Sequence, residues 1–342
     1  MTVTSEQLSI FFEKCRAMRV LVIGDVMLDT WVDGDAVRLS PEAPVPVVKL
    51  NSKSIKHSLG GAGNVAVNAR AMGAEVSIMG AVGASGGSRS KGTLIKKLVS
   101  ANGIQDYIGS YSNRLTTQKI RIGSQGQQVV RVDIEENTPL TEEQANWFFG
   151  YESPGPLDVV IIADYGKGVV CDAMLRMFRE SKLSDKVVID PCPDNFVLYK
   201  KHLDFHVLAI TPNTFEAKEI SKNHWAACPE APIIDLAWSD LRCDTVLVTE
   251  GKNGMTIHEA SENNSTFFSS HIHIPATHQP ATAADVSGAG DTVTAVFAMA
   301  LAAGLEKRCA AELANVAAGV VVGKRGTAVC GMEELENAVI GG

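Results

Sequence analysis

The chain has 342 residues, of which 45% are hydrophobic and 20% charged, and it carries a formal net charge of −8. That length suits one large α/β domain or two smaller ones, and the hydrophobic share is ample for a globular core. The acidic balance excludes wholesale nucleic-acid binding, so a phosphate-bearing ligand must meet a local basic cluster.

The opening Met1-Thr2-Val3-Thr4-Ser5-Glu6 has neither a basic n-region nor an apolar h-region, which argues against secretion. The longest apolar run, 293–305, is too short for a bilayer, so a cytoplasmic protein without membrane contact is expected. Seven cysteines (15, 171, 192, 228, 243, 309 and 330) are scattered without a CxxC pair, and read as mostly buried, reduced thiols rather than a zinc site.

Along the chain, short β-branched runs alternate with helical stretches. Arg19-Val20-Leu21-Val22-Ile23-Gly24-Asp25 predicts a strand ending in a carboxylate, and Glu75-Val76-Ser77-Ile78-Met79-Gly80 a second, after a helix over 64–72. Further strands are predicted at 158–164, 186–190, 206–211 and 244–249. All are apolar on both faces, as strands covered by helices must be. The alternation predicts a mostly parallel sheet with ligands at the carboxyl ends of its strands, where Asp25, Asp164, Asp190 and Thr249 fall.

Two segments break the rhythm. Residues 30–49 contain Pro41, Pro44 and Pro46, and 117–133 alternate as Lys119-Ile120-Arg121-Ile122 and Val129-Val130-Arg131-Val132-Asp133. Both read as extended strands exposed on one side, forming a small antiparallel lid whose apolar face favours a homodimer. Lys119 and Arg121 fall on one face of their strand, where they can converge on a phosphate or simply meet solvent.

Three turns carry candidate chemistry. Gly24-Asp25-Val26-Met27-Leu28-Asp29 and Gly60-Gly61-Ala62-Gly63-Asn64 place carboxylates and an amide suited to sugar hydroxyls at a strand end and a helix start. Thr211-Pro212-Asn213-Thr214-Phe215-Glu216 puts Asn213 and Glu216 on one helical face, able to hold magnesium through water or to cap the helix. Asp285-Val286-Ser287-Gly288-Ala289-Gly290-Asp291 runs into the apolar stretch from Thr292 to Ala300. Such a turn serves as a helix cap, or as an anion hole beside an acid that removes a hydroxyl proton. A fourth loop, Thr249-Glu250-Gly251-Lys252-Asn253-Gly254, suits nucleotide phosphates or a plain hairpin.

In this order, the pieces resemble the ribokinase (PfkB) family of sugar kinases over about 20–339. Both glycine signatures are present, with Asn213-x-x-Glu216 between them. Within the family, Ser40-Pro41-Glu42-Ala43-Pro44-Val45-Pro46-Val47-Val48 and Ala163-Asp164-Tyr165-Gly166-Lys167-Gly168 are similar to heptose 7-phosphate kinases. The chain departs from them at Gly63, at Cys192 where a lysine is usual, and over 84–88.

The resemblance implies a single three-layer α/β/α kinase domain over 1–342, with lid strands near 30–50 and 115–133 and no nucleotidyltransferase domain. It implies ATP-dependent phosphorylation of the anomeric hydroxyl of D-glycero-β-D-manno-heptose 7-phosphate, an ADP-heptose and lipopolysaccharide precursor. A separate nucleotidyltransferase and phosphatase would complete that route. Another sugar kinase of the same fold, or a non-catalytic sensor, is the alternative. Asp291 would be the general base, with the amides of Gly288, Ala289 and Gly290 around the transferred phosphoryl. Asp25, Asp29, Gly61, Asn64, Lys119, Arg121, Arg131, Asp164 and Lys167 would bind the sugar phosphate, with Arg38 a further candidate cation. Asn213 and Glu216 would hold Mg-ATP, with Thr249, Gly251, Gly254 and Asn315 around the nucleotide. A monovalent cation is also admitted.

Overall fold

The computed structural model describes residues 3–50, 53–84, 86, 90–125, 127–150, 155–183, 186–203, 206–224, 233–243, 245–263, 266–277, 287–324 and 326–341. Asp285 and Val286 of the second glycine signature, Ser85, Gly87 and Ser88 of the departing segment, Cys228 and Asp244 lie outside the described residues.

The first half of the chain runs α1 (Ser5–Ala17), β1 (Arg19–Gly24), β2 (Val26–Leu39), β3 (Pro46–Lys49), β4 (Ile55–Gly61), α2 (Ala62–Ala71), β5 (Glu75–Gly83), α3 (Lys91–Ala101), β6 (Gln105–Tyr111), β7 (Gln118–Ser124) and β8 (Gln127–Ile134). The second half runs α4 (Glu142–Gly150), β9 (Val159–Ala163), α5 (Asp172–Ser181), β10 (Val187–Asp190), α6 (Phe196–His202), β11 (Ala209–Ile210), α7 (Thr214–His224), α8 (Ile233–Leu241) and β12 (Thr245–Thr249). It closes with β13 (Met255–Asn263), β14 (Thr266–Ile274), α9 (Ala289–Ala302), α10 (Lys307–Val322) and α11 (Met332–Ile340).

Nine strands form the central sheet in the order β14-β13-β12-β11-β10-β9-β1-β5-β6. From β12 to β6 every pairing is parallel, and at the other edge the β12–β13 and β13–β14 pairings are antiparallel. Alternation within single strands separates two cores. Val20 and Val22 of β1 join α1, α2, α3, α9, α10 and α11 on one face. Leu21 and Ile23 join α4, α5, α6, α7 and α8 on the other. Each buried strand therefore serves both layers, which is why its sequence is apolar at successive positions.

The lid is a second sheet, ordered β3-β2-β7-β8, with β4 also paired to β2. It differs from the sequence expectation in one respect. The β2–β7 pairing, Leu28↔Gln118 to Gly34↔Ser124, is parallel, so the lid is mixed rather than antiparallel. An alternating pattern fixes which side chains share a face but says nothing about a neighbour's direction. The register puts Asp29 beside Lys119, Trp31 beside Arg121, and Arg131 across from Arg121, all on one face of the lid.

Candidate active site

The carboxyl ends of β1, β9 and β10 converge with the N-termini of α2 and α9. Asp291 stands in the first turn of α9, whose N-cap Gly288 has φ +83°, a left-handed conformation that a side chain resists. A Cβ there would also lie 2.5 Å from Asn64 Nδ2, so glycine is required twice over. A Cβ on Gly290 would meet nothing within 4 Å, so the backbone there is open to a ligand. The leading N–H groups of this helix, unpaired by geometry, present an anion-binding end.

Both oxygens of Asp291 are held. Asn64 Nδ2 donates to Oδ2 at 2.7 Å, and the Tyr165 hydroxyl donates to Oδ1. The phenol oxygen also lies 3.2 Å from Asp190 Oδ2. Burial pushes the Asp291 pKa up to about 6, while the bonds from Tyr165 and Asn64 pull it down and Asp29 raises it further. Burial, reinforced by Glu216 and Asp291, raises Asp190 well above the usual carboxylate range.

The other expected acids are distributed differently. Asp25 is 1% exposed and accepts from the backbone N–H groups of Tyr165 (2.9 Å), Lys167 (2.9 Å) and Val169 (3.0 Å). Asp164 accepts from Tyr199, from Asn195 Nδ2 (2.8 Å) and from the Gly166 N–H (2.8 Å). Both, expected as sugar ligands, are engaged here by three protein donors each and shape the 164–169 loop. Burial and the neighbouring Asp25 charge push Asp164 to about 7. Asp29 accepts from Thr327 Oγ1 at 2.5 Å and pairs with Arg121 Nη1 at 3.4 Å. Asp29 Oδ1, Arg121 Nη1 and Trp31 Nε1 are buried without a hydrogen-bond partner, an arrangement that a hydroxyl-bearing ligand would relieve. Gly61, at φ +57°, turns the chain from β4 into α2 and brings Asn64 to Asp291.

The expected phosphate cations do gather, but with acids among them. Lys119 Nζ lies 3.6 Å from Asp133 and 3.8 Å from Glu135, Lys167 Nζ is 2.9 Å from Glu135, and Arg131 forks onto Asp133. Arg121 is buried, pairs with Asp29 and stacks over Trp31 at 5.5 Å. Arg38 is exposed opposite Val47, further along β2.

At the start of α7, Asn213 Oδ1 accepts from the N–H groups of Phe215 (2.9 Å) and Glu216 (3.0 Å), and Glu216 Oε2 accepts from the Asn213 N–H (2.8 Å). This reciprocal cap was the alternative reading of the spacing, and it leaves Glu216 Oε1 available. Burial raises the Glu216 pKa. Thr249 bridges to Asn213, and Gly251 and Gly254 (φ +58° and +97°) form the turn between β12 and β13, the plain hairpin of the alternative reading. Asn315 Nδ2 donates to the Pro275 carbonyl at 2.7 Å, so its amide braces the chain after β14. Sequence reasoning singled out neither Tyr165 nor Thr327. A tyrosine after a strand-end aspartate was on view, but only the folded loop brings it to an acid 126 positions away.

A buried acid at a glycine-rich helix start, beneath a β lid and at the carboxyl ends of a parallel sheet, defines a phosphotransferase acting on a small hydroxylated substrate. The family model described as pfkB family carbohydrate kinase matches residues 17–335. "Bifunctional protein HldE" of Citrifermentans bemidjiense is 33% identical over 95% of this chain and 64% of its own length. The protein of the same name from Psychromonas ingrahamii is 36% identical over 94% and 63%. The chain thus spans less than two thirds of these relatives. The fold is shared with the Arabidopsis thaliana ribokinase solved with ribose and ATP (TM-score 0.64, 17% identity, 94% of this chain and 98% of that one). The chain belongs to the pfkB family of carbohydrate kinases, and it is an ATP-dependent sugar kinase.

Proposed function

We propose that this kinase phosphorylates the anomeric hydroxyl of D-glycero-β-D-manno-heptose 7-phosphate, giving the 1,7-bisphosphate and ADP. The observation that carries the reading is Asp291, an acid with a pKa near 6 held from both sides at the open end of α9. Such a group is ionised at neutral pH and basic enough to take a proton in flight. In the step proposed, the sugar O–H proton passes to Asp291 and the oxygen lone pair forms the new bond to the γ-phosphorus. The bond from that phosphorus to the ADP oxygen breaks, and its electron pair leaves with ADP. The amides of Gly288, Ala289 and Gly290 steady the charge on the transferred group.

Support for the heptose phosphate comes from the HldE relatives, which align over nearly all of this chain. Lys119 and Lys167, which share Glu135, would exchange that carboxylate for the 7-phosphate, with Arg131 alongside. Asp29, Arg121 and Trp31 would meet sugar hydroxyls with their unpartnered atoms. Thr249, Gly251 and Gly254 would line the nucleotide, with Asn315 bracing its far wall. Magnesium fits the available donors: Glu216 offers a free oxygen, and with Asp190 it forms an acidic pair that a hard cation would neutralise through water. When bound, the ion would screen the ATP phosphates. The lid's apolar face supports a homodimer. Among the described residues no helix is long and apolar enough to cross a membrane.

The test is ADP release measured across heptose 7-phosphate, ribose, fructose and hexose phosphates. The heptose phosphate is expected to give the highest kcat/KM, with Lys119→Ala raising its KM about tenfold or more while the KM for ATP holds. Equal turnover of a free sugar would refute the substrate assignment. Asp291→Asn is expected to bind ATP yet lose roughly 10²–10⁴ in kcat.

A further inference from the structure

A carboxylate on the first turn of a helix keeps rotamer freedom unless neighbours fix it, and a base must present its lone pair in one direction. Asn64 fixes Oδ2 of Asp291 from α2. The geometry points to Tyr165 as the second positioning residue for Asp291, its phenol donating to Oδ1 while its oxygen rests against Asp190. The inference rests on Asp291 acting as the base.

Tyr165 is itself fastened. Its backbone N–H donates to Asp25 at 2.9 Å, and the amides of Lys167 and Val169 donate to the same carboxylate. The buried Asp25 thus pins the loop, the loop places the ring, and the ring places the base. Burial and the two flanking carboxylates push the phenol well above its usual pKa, so it remains a donor throughout the working pH range. The charged and titratable groups facing Asp291 are Tyr165 from the loop, with Asp190 behind it on β10, and Asp29 and Arg121 from the lid. Asp29 and Arg121 oppose one another in charge and are paired. The hydrogen bonds from Tyr165 and Asn64 are therefore the principal influences holding the Asp291 pKa down against burial.

Tyr165→Phe removes one oxygen and keeps the ring. The variant is expected to lose about 10- to 100-fold in kcat, with KM values for ATP and sugar within about twofold of wild type. The acid limb of its kcat/KM profile is expected to move up by about one pH unit, as the bond to the ionised carboxylate is lost. An acid limb that stays in place overturns the proposal, whatever happens to kcat. As a check against general loosening, the substitution is repeated on Asp291→Asn, where its effect on kcat should vanish. An undiminished effect there also overturns it. Near-normal turnover by Asp291→Asn alone sinks the base assignment itself, whereas a dead Asp291→Asn with an unshifted Tyr165→Phe profile sinks only the role of Tyr165.

Discussion

At the scale of the residue, Asp291 has a proton affinity that activity and stability read with opposite signs. Its carboxyl rises from 3.8 to about 6 on folding because burial outweighs the donated hydrogen bonds. The role of base proposed for Asp291 needs the ionised form, so kcat/KM should fall as pH drops through about 6. Stability runs the other way. A raised folded pKa favours folding below the unfolded value, and that contribution is lost as pH rises from about 4 through 6. Asp291→Asn carries no such loss. Between pH 5 and pH 8 its unfolding free energy should therefore gain on wild type by about 1 kcal/mol, whatever the offset at either pH. Denaturant titrations at the two pH values measure the gap, and a gap that stays constant would mean Asp291 is not buried as described. Position on a strand or helix end was legible for this acid and for Asp25, Asp164 and Asp190. Which donors fill each one was not, because a carboxylate's partners come from loops distant in the chain.

At the scale of the element, the junction of α2 and α9 determines whether Asn64 reaches Asp291. Asn68, fully buried, holds that junction: its amide donates to the Asn64 carbonyl at 3.0 Å and its oxygen accepts from Thr292 Oγ1 (3.0 Å) and the Cys330 N–H (3.3 Å). Asn68→Ala leaves the Cys330 N–H without its partner and opens a small void in the buried junction, while Thr292 Oγ1 keeps the Gly288 carbonyl at 3.0 Å, so the expected cost is about 2 kcal/mol. A urea midpoint unchanged from wild type would refute this role. The sequence announces α2 and the central strands because their apolar runs are long and unambiguous. It overstates β11, read as 206–211 but only Ala209–Ile210, although the N–H groups of Leu208 and Thr211 on either side still donate to the Val187 and Ile189 carbonyls of β10. It passes over β4, where Lys56, His57 and Ser58 interrupt the apolar signal and pairing to β2 supplies what the pattern lacks. For Asn213 and Glu216, cap and cation-site spacings coincide, so only coordinates distinguish the hydrogen bonds that form.

At the scale of the whole molecule, the lid has two faces with different chemistry. One carries Asp29, Lys119, Arg121, Arg131 and Asp133, paired across strands. The other carries Ile120, Ile122, Val130, Val132 and Ile134, of which Val130 and Val132 remain 46% and 42% exposed. Leu39 and Ile55 of β2 and β4 are also exposed. An apolar sheet face left in water is costly, and a second copy of the lid would cover it. Burying a valine or isoleucine contributes roughly 1.5–3 kcal/mol, so a few such residues per chain suffice for a stable pair. Val132→Asp would place a charge within that face. The substitution should weaken association about 100-fold or more, equivalent to about 2.7 kcal/mol, shifting the mass from two chains to one in size-exclusion light scattering. Because the opposite side of the same strands holds the cations proposed to meet the sugar phosphate, the monomeric variant should also bind that substrate less tightly while its affinity for ATP holds. A wild-type chain that is monomeric at micromolar concentration would remove the proposed interface altogether.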